Sequence, residues 1–152
     1  MNDFEDSMLE ISQNNLNREY QRLKDLDNKA IGLITITGIL ITFLSNFAKM
    51  EACISKILFS FVAFLFFMTI LFGILAIRTR LTDGLSTNYL IEDFGSETDS
   101  KTQIRGLIQT IGDAEDKIDN LCSAKATEIQ YAVYSLGIGL IFLICYTISI
   151  II

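Results

Sequence analysis

The side chains that could carry chemistry in this sequence are few, and they lie far apart. The chain contains no histidine, which removes the commonest general base near neutral pH and the commonest metal ligand. Its cysteines, Cys53, Cys122 and Cys145, match no zinc or redox spacing. No Gly-rich phosphate loop and no metalloprotease or hydrolase motif is present. We therefore predict no catalytic residue, no metal site, no cofactor and no enzyme activity.

Three charged residues stand out because they occupy apolar helical stripes close to long uncharged stretches. These are Asp27, Lys125 and Glu128, and Lys125 stands where the stripe would place a hydrophobic residue. One interpretation is a gate or an ion-conducting ring at a subunit interface. The other is a structural ion pair of Asp27 with Lys29 or Lys125, which would fix the register of the helices.

A group of basic residues offers a second candidate site. Arg78 and Arg80 follow directly after the second uncharged stretch, a position typical of side chains that anchor a span at the lipid headgroups. The alternative is a phosphate-binding role, shared with Arg105 or Lys101. We keep Arg78, Arg80 and Arg105 as weak ligand-binding candidates.

These candidates must be positioned by long apolar segments. Residues 30–47, 57–77 and 132–152 contain no charged side chain, and apolar residues make up 51% of the chain. A helix needs about 20 apolar residues to cross the hydrocarbon core of a bilayer. The sequence therefore predicts an all-α fold, a three-transmembrane-helix membrane protein with long helices extending into the cytoplasm.

The distribution of Lys and Arg predicts the orientation in the membrane. Only Lys49 and Lys56 lie between the first two spans, whereas the other basic residues flank the spans on the side of the N-terminus. Because basic residues are enriched in cytoplasmic segments, we expect a multi-pass protein of the cell inner (cytoplasmic) membrane with a cytoplasmic N-terminus. The predicted order is a cytoplasmic amphipathic helix (1–29), transmembrane helix 1 (30–47), a short outer loop (48–56), transmembrane helix 2 (57–77), a cytoplasmic helical insert (78–131) and transmembrane helix 3 (132–152).

The two cytoplasmic helices carry heptad-like apolar seams. In the first helix, residues recur every seven positions; in the second, they recur three and four apart, which is typical of a coiled coil. The members are Leu9, Leu16, Leu23 and Ala30, then Ile104, Leu107, Ile111, Ala114, Ile118 and Leu121. Two helices make a thin core, so we expect a homo-oligomer. The net charge of −6 argues against a nucleic-acid partner.

Two stretches carry a resemblance to a known group. A polar helix ending in Leu26-Asp27-Asn28-Lys29-Ala30 runs into an apolar span, and a seam helix with Asp119-Asn120-Leu121 and Lys125 feeds the last span. This arrangement resembles small prokaryotic transmembrane effectors, the SLATT group and the Pycsar transmembrane effectors. The resemblance implies a role in antiviral defence, in which a nucleotide second messenger triggers disruption of the inner membrane.

Two functions are compatible with these features. The first is an oligomeric membrane effector or pore, triggered by a nucleotide signal or by a cytoplasmic partner protein. The alternative is a non-catalytic membrane scaffold or accessory subunit that anchors a cytoplasmic partner. For the scaffold, the acidic part of the insert would form the docking surface, with the residues Glu92, Asp93, Glu97 and Asp99.

Overall fold

A computed structural model of the chain describes residues 3–46, 53–78 and 100–151. These residues form three α-helices: α1 (Asp3–Asn46), α2 (Cys53–Arg78) and α3 (Ser100–Ile151). Every described residue is helical, and each helix includes a stretch long and apolar enough to cross a membrane. The all-α fold class with three transmembrane helices is therefore confirmed. The acidic residues proposed as a docking surface and Arg80 lie outside the described residues.

The chain divides into two compact units, and α1 and α3 each contribute to both. The first unit, here called the helical pair, includes the described residues 3–25 of α1 and 100–123 of α3. The second unit, here called the bundle, includes the described residues 26–46 of α1, 53–78 of α2 and 124–151 of α3. In the helical pair, Arg22 of α1 donates a hydrogen bond of 2.9 Å to Asp119 of α3, while Ile118 and Cys122 are buried.

In the bundle, α1 and α3 run parallel to each other and α2 runs antiparallel to both. At one end, Ala30 of α1 clusters with Ile129 of α3 and with Ala76 near the end of α2. At the other end, Leu44 of α1 clusters with Tyr146 of α3, and Val62 of α2 joins them. These contacts give an up–down–up arrangement, because each helix crosses the bundle in the direction opposite to the one before it.

Buried residues in each helix recur at intervals of seven. Seven residues are close to two helical turns, so such a series keeps to one face of its helix. The series are Ala30, Thr37 and Leu44 in α1; Ser55, Val62, Thr69 and Ala76 in α2; and Ile111, Ile118, Lys125, Ala132, Gly139 and Tyr146 in α3. Many members are small, which lets helices in lipid approach closely and gain packing contacts.

The outer face of the bundle carries large apolar side chains that are exposed in the isolated chain. Examples are Ile36, Ile39 and Phe43 in α1, Phe61, Phe64 and Phe67 in α2, and Ile138, Ile141 and Ile144 in α3. Contiguous apolar surface of this extent is rare on soluble proteins. Lipid rather than water therefore fits this surface, in agreement with the three candidate membrane spans.

Candidate functional site

The strongest candidate site is an ion pair inside the bundle, where α1 and α3 lie side by side. Lys125 Nζ donates a hydrogen bond to Asp27 Oδ1 at 2.5 Å. The Lys125 side chain is only 1% exposed, whereas that of Asp27 is 35% exposed. The sequence left two partners open for Asp27, namely Lys29 and Lys125. The structure contains the ion pair with Lys125.

Lys125 is buried at this position because it belongs to the series of buried residues that recurs every seven positions along α3. Its neighbours in that series, Ile118 and Ala132, are buried and apolar, so Lys125 occupies a position that would normally hold a hydrophobic side chain. On α1, Asp27 lies between Leu26 and Ala30, which both pack in the apolar cluster at this end of the bundle. The carboxylate and the ammonium group are thus brought together by two apolar faces.

The energetics of the pair are asymmetric. An ammonium group taken out of water loses several kcal/mol of hydration, about what one good ion pair and its hydrogen bonds recover. Lys125 bears most of this cost because it is buried, while Asp27 keeps partial access to water. Among the described residues, no buried side-chain nitrogen or oxygen lacks a hydrogen-bond partner. The pair is therefore satisfied, and it depends on α1 and α3 staying in register.

A second ion-pair group lies in the helical pair, where Arg22 and Asp119 are exposed and Glu19 is partly buried. Arg22 donates hydrogen bonds to Glu19 at 3.3 Å and to Asp119 at 2.9 Å. The hydrogen bond and negative charge of Glu19 raise the pKa of Arg22 above its ordinary value, with a smaller contribution from the bond to Asp119. Arg22 therefore stays charged, but exposed pairs of this kind are weak and are screened by salt.

The other residues selected from the sequence are more scattered. Glu128, which follows Lys125 by three residues, is partly exposed. Arg78 is exposed at the end of α2 in the bundle, whereas Arg105 is exposed on α3 in the helical pair. A gating role for Asp27, Lys125 and Glu128 and a phosphate-binding role for the arginines stay predictions.

Buried apolar side chains form a cluster toward each end of the bundle. Phe66 and Tyr146 are fully buried in one apolar cluster with Val62 and Leu44, toward the end of the bundle away from Ala30. The hydroxyl groups in the apolar stretches mostly bond to carbonyls of their own helix, as such groups commonly do. These own-helix donors are Thr35, Thr37, Thr42, Ser45, Thr69, Thr147 and Ser149. Ser149 also lies 3.4 Å from the hydroxyl of Ser55 in α2, so most but not all of these hydroxyls bond only within their own helix among the described residues.

Two further contacts join α3 to α2 inside the bundle. Ser135 of α3 donates a hydrogen bond of 2.8 Å to the carbonyl of Leu65 in α2. One turn later on α3, Gly139 lies directly against the ring of Phe66. Gly139 stands seven residues after Ala132 and fourteen after Lys125, which places it on the same buried face of α3.

Comparison with known proteins gives one match that covers nearly the whole chain. A family model described as the Pycsar effector protein domain matches residues 11–152. Neither a curated protein nor a solved structure matches the chain. The match includes all of α2 and α3 and most of α1, and it agrees with the resemblance seen in the sequence. The chain is therefore a multi-pass membrane protein that belongs to the Pycsar effector protein domain family.

Proposed function

We propose that this protein is a non-catalytic, homo-oligomeric effector of antiviral defence that permeabilises the inner membrane when it is triggered. Membership of the effector family and the three apolar helices support a membrane effector. The proposal adds that copies of the chain act together and that a nucleotide signal or a partner protein starts the action.

The observation that carries this proposal is the packing of buried apolar side chains inside the bundle. Phe66 and Tyr146 are fully buried between the helices, so apolar side chains occupy the place where a route for ions through the described residues of one copy would run. An effector that breaches the membrane must therefore open a route between copies, or its helices must rearrange. Assembly of several copies is the simpler solution, because it leaves the packed core of each copy intact.

The expected orientation follows from the charges at the two ends of the bundle. Asp27, Lys29, Arg78 and Lys125 lie at the end where α1 enters and α2 finishes, while Lys56 lies near the opposite end. With the basic residues of the helical pair added, the positive-inside rule favours a cytoplasmic location for this end. Cytoplasmic α1 and α3 segments would then be accessible to a soluble trigger.

The test is titratable expression in bacteria with a potential-sensitive dye as the readout. We expect depolarisation that rises with the amount of protein, and cross-linked oligomers in isolated membranes. The control is an unrelated three-span membrane protein produced to the same level, which reports the stress of overproduction. Normal membrane potential at every expression level, with and without phage infection, would refute the effector proposal. A stoichiometric protein partner recovered under those conditions would instead indicate the scaffold.

The trigger can be examined with the purified protein in detergent. Cyclic mononucleotides of each base are the probes, and binding is measured by calorimetry with Arg78→Ala, Arg80→Ala and Arg105→Ala as variants. Binding that weakens in these variants would support a phosphate-binding role for the arginines. Absence of binding to every probe would assign triggering to a partner protein.

A further inference from the structure

We propose that the Asp27–Lys125 ion pair is a latch that holds the bundle in its resting state. This inference rests on the proposed effector function and adds the contact that regulates it. It starts from the position of Lys125, which is buried in a series whose other members carry no charge.

A hydrophobic residue at position 125 would hold α1 and α3 together at least as well as the ion pair. Replacing buried ion pairs by well-packed apolar residues is often neutral or stabilising, so stability alone does not account for a lysine here. The lysine makes the contact between the helices conditional, because α3 tolerates a buried ammonium group only while Asp27 Oδ1 accepts its hydrogen bond at 2.5 Å. A small rotation or shift of either helix removes that acceptor and favours exposure of Lys125 to water.

The latch lies where such a movement would reach it. Asp27 is the second residue of α1 inside the bundle, and Lys125 is the second residue of α3 inside the bundle. α1 (Asp3–Asn46) and α3 (Ser100–Ile151) are each one continuous helix. A trigger that turns or shifts α1 or α3 about its axis would therefore change the register of the two helices at the ion pair.

The different burial of the two partners gives the latch a signature that an ordinary structural ion pair lacks. Asp27→Asn leaves the 1% exposed ammonium group of Lys125 without its counter-charge, which favours the open state. Lys125→Met leaves a carboxylate that is already 35% exposed and can be hydrated, while the new side chain suits the apolar face. The two substitutions should therefore shift the threshold for depolarisation in opposite directions, whereas loss of a merely structural pair would change the melting temperature and leave that threshold unchanged at matched abundance.

The experiment measures the inducer concentration that gives half-maximal depolarisation, with membrane abundance matched by immunoblot. We expect Asp27→Asn to lower this concentration by about tenfold and Lys125→Met to raise it by a similar factor, a moderate population shift. The double variant Asp27→Asn/Lys125→Met should return to or above the wild-type value. Asp25→Asn and Lys29→Met, which change exposed neighbours, are the matched controls and should stay close to wild type.

Thermal unfolding in detergent gives a second readout, should Asp27→Asn fail to accumulate. The expected order of melting temperatures is Lys125→Met and the double variant at or above wild type, and Asp27→Asn below it. Equal shifts in the same direction for both single variants, with wild-type depolarisation intact, would overturn the latch alone. A wild-type chain that never depolarises the membrane would overturn the effector function, and with it the regulatory role of the latch.

Discussion

A Cβ atom built on Gly139 would lie only 2.8 Å from Cε1 of Phe66, so α3 approaches α2 as closely as a glycine allows. The Phe66 ring is fully buried and has Tyr146, Leu44 and Val62 in its own cluster, which leaves it little room to move away. Two residues earlier on α3, a Cβ on Gly137 would meet no atom within 4 Å. An alanine at either position gains the same helix propensity, but only the alanine at position 139 meets a neighbouring side chain. Comparing the two substitutions therefore separates the cost of the packing contact from the gain in helix propensity.

We predict that Gly139→Ala destabilises the bundle, because its methyl group must displace Phe66. Overpacking of this kind typically costs about 1–3 kcal/mol. Gly137→Ala should be neutral or should stabilise α3 by up to about 1 kcal/mol, since alanine favours the helix and no neighbour is displaced. Thermal unfolding in detergent checks both values. Equal melting temperatures for the two variants would contradict the close contact.

Two consecutive phenylalanines give a second comparison. Phe66 is 0% exposed and Phe67 is 60% exposed, on the side that we assign to lipid. Phe66→Ala should leave a cavity and lower the stability of the bundle. The loss should be smaller than the about 3–5 kcal/mol that the same substitution costs in the core of a soluble protein, because burial from lipid gains no hydrophobic free energy. Phe67→Ala exchanges one lipid-facing apolar surface for a smaller one and should change the melting temperature little. A larger effect at Phe67 would mean that this face is covered by another copy or a partner.

The hydroxyl of Ser135 provides a third test, because it joins two helices. It donates to the carbonyl of Leu65, which also accepts a bond from Thr69 within α2. Ser135→Ala should cost about 0.6 kcal/mol, the average for hydrogen bonds between membrane helices. Ser45→Ala is the control, since the hydrogen bond described for Ser45 goes to the carbonyl of Ile41 in its own helix. The difference between the two melting temperatures isolates the contribution of the bond between helices.

Much of the fold could be predicted because it follows from properties of single segments. A run of about 20 uncharged residues specifies a membrane helix whatever its neighbours are, since lipid requires internally satisfied backbone groups. The three uncharged runs therefore predict three helices. Contacts between the helices depend on how each one rotates about its axis, and the sequence does not specify rotation. For this reason the sequence alone could not distinguish Ser135 from Thr37. In the structure, Ser135 bonds to the carbonyl of Leu65 in α2, whereas Thr37 bonds to the carbonyl of Leu33 in its own helix.

At the candidate site, too, one part follows from the sequence of a single helix and the other part depends on how two helices pack together. The stripe on α3 singles out Lys125 as a charge at an apolar position, and that much follows from residue spacing alone. Its partner was left open between two ion pairs of Asp27, with Lys29 or with Lys125. Residues two apart on a helix point in different directions, which already disfavours Lys29. Choosing Lys125 requires knowing that α1 and α3 run parallel in the bundle, a relation that only the structure supplies.

The two described cysteine side chains allow the surroundings of α3 to be probed directly. Cys145 is exposed on the outer face of the bundle, whereas Cys122 is buried in the helical pair. We predict that a lipid-soluble maleimide labels Cys145 much faster than Cys122, and that a charged maleimide labels neither quickly in intact membranes. Variants that keep only one of the three cysteines, measured by mass shift, give the separate rates, and labelling after denaturation gives the maximum. Fast labelling of Cys145 by the charged reagent would place this face in water and contradict its assignment to lipid.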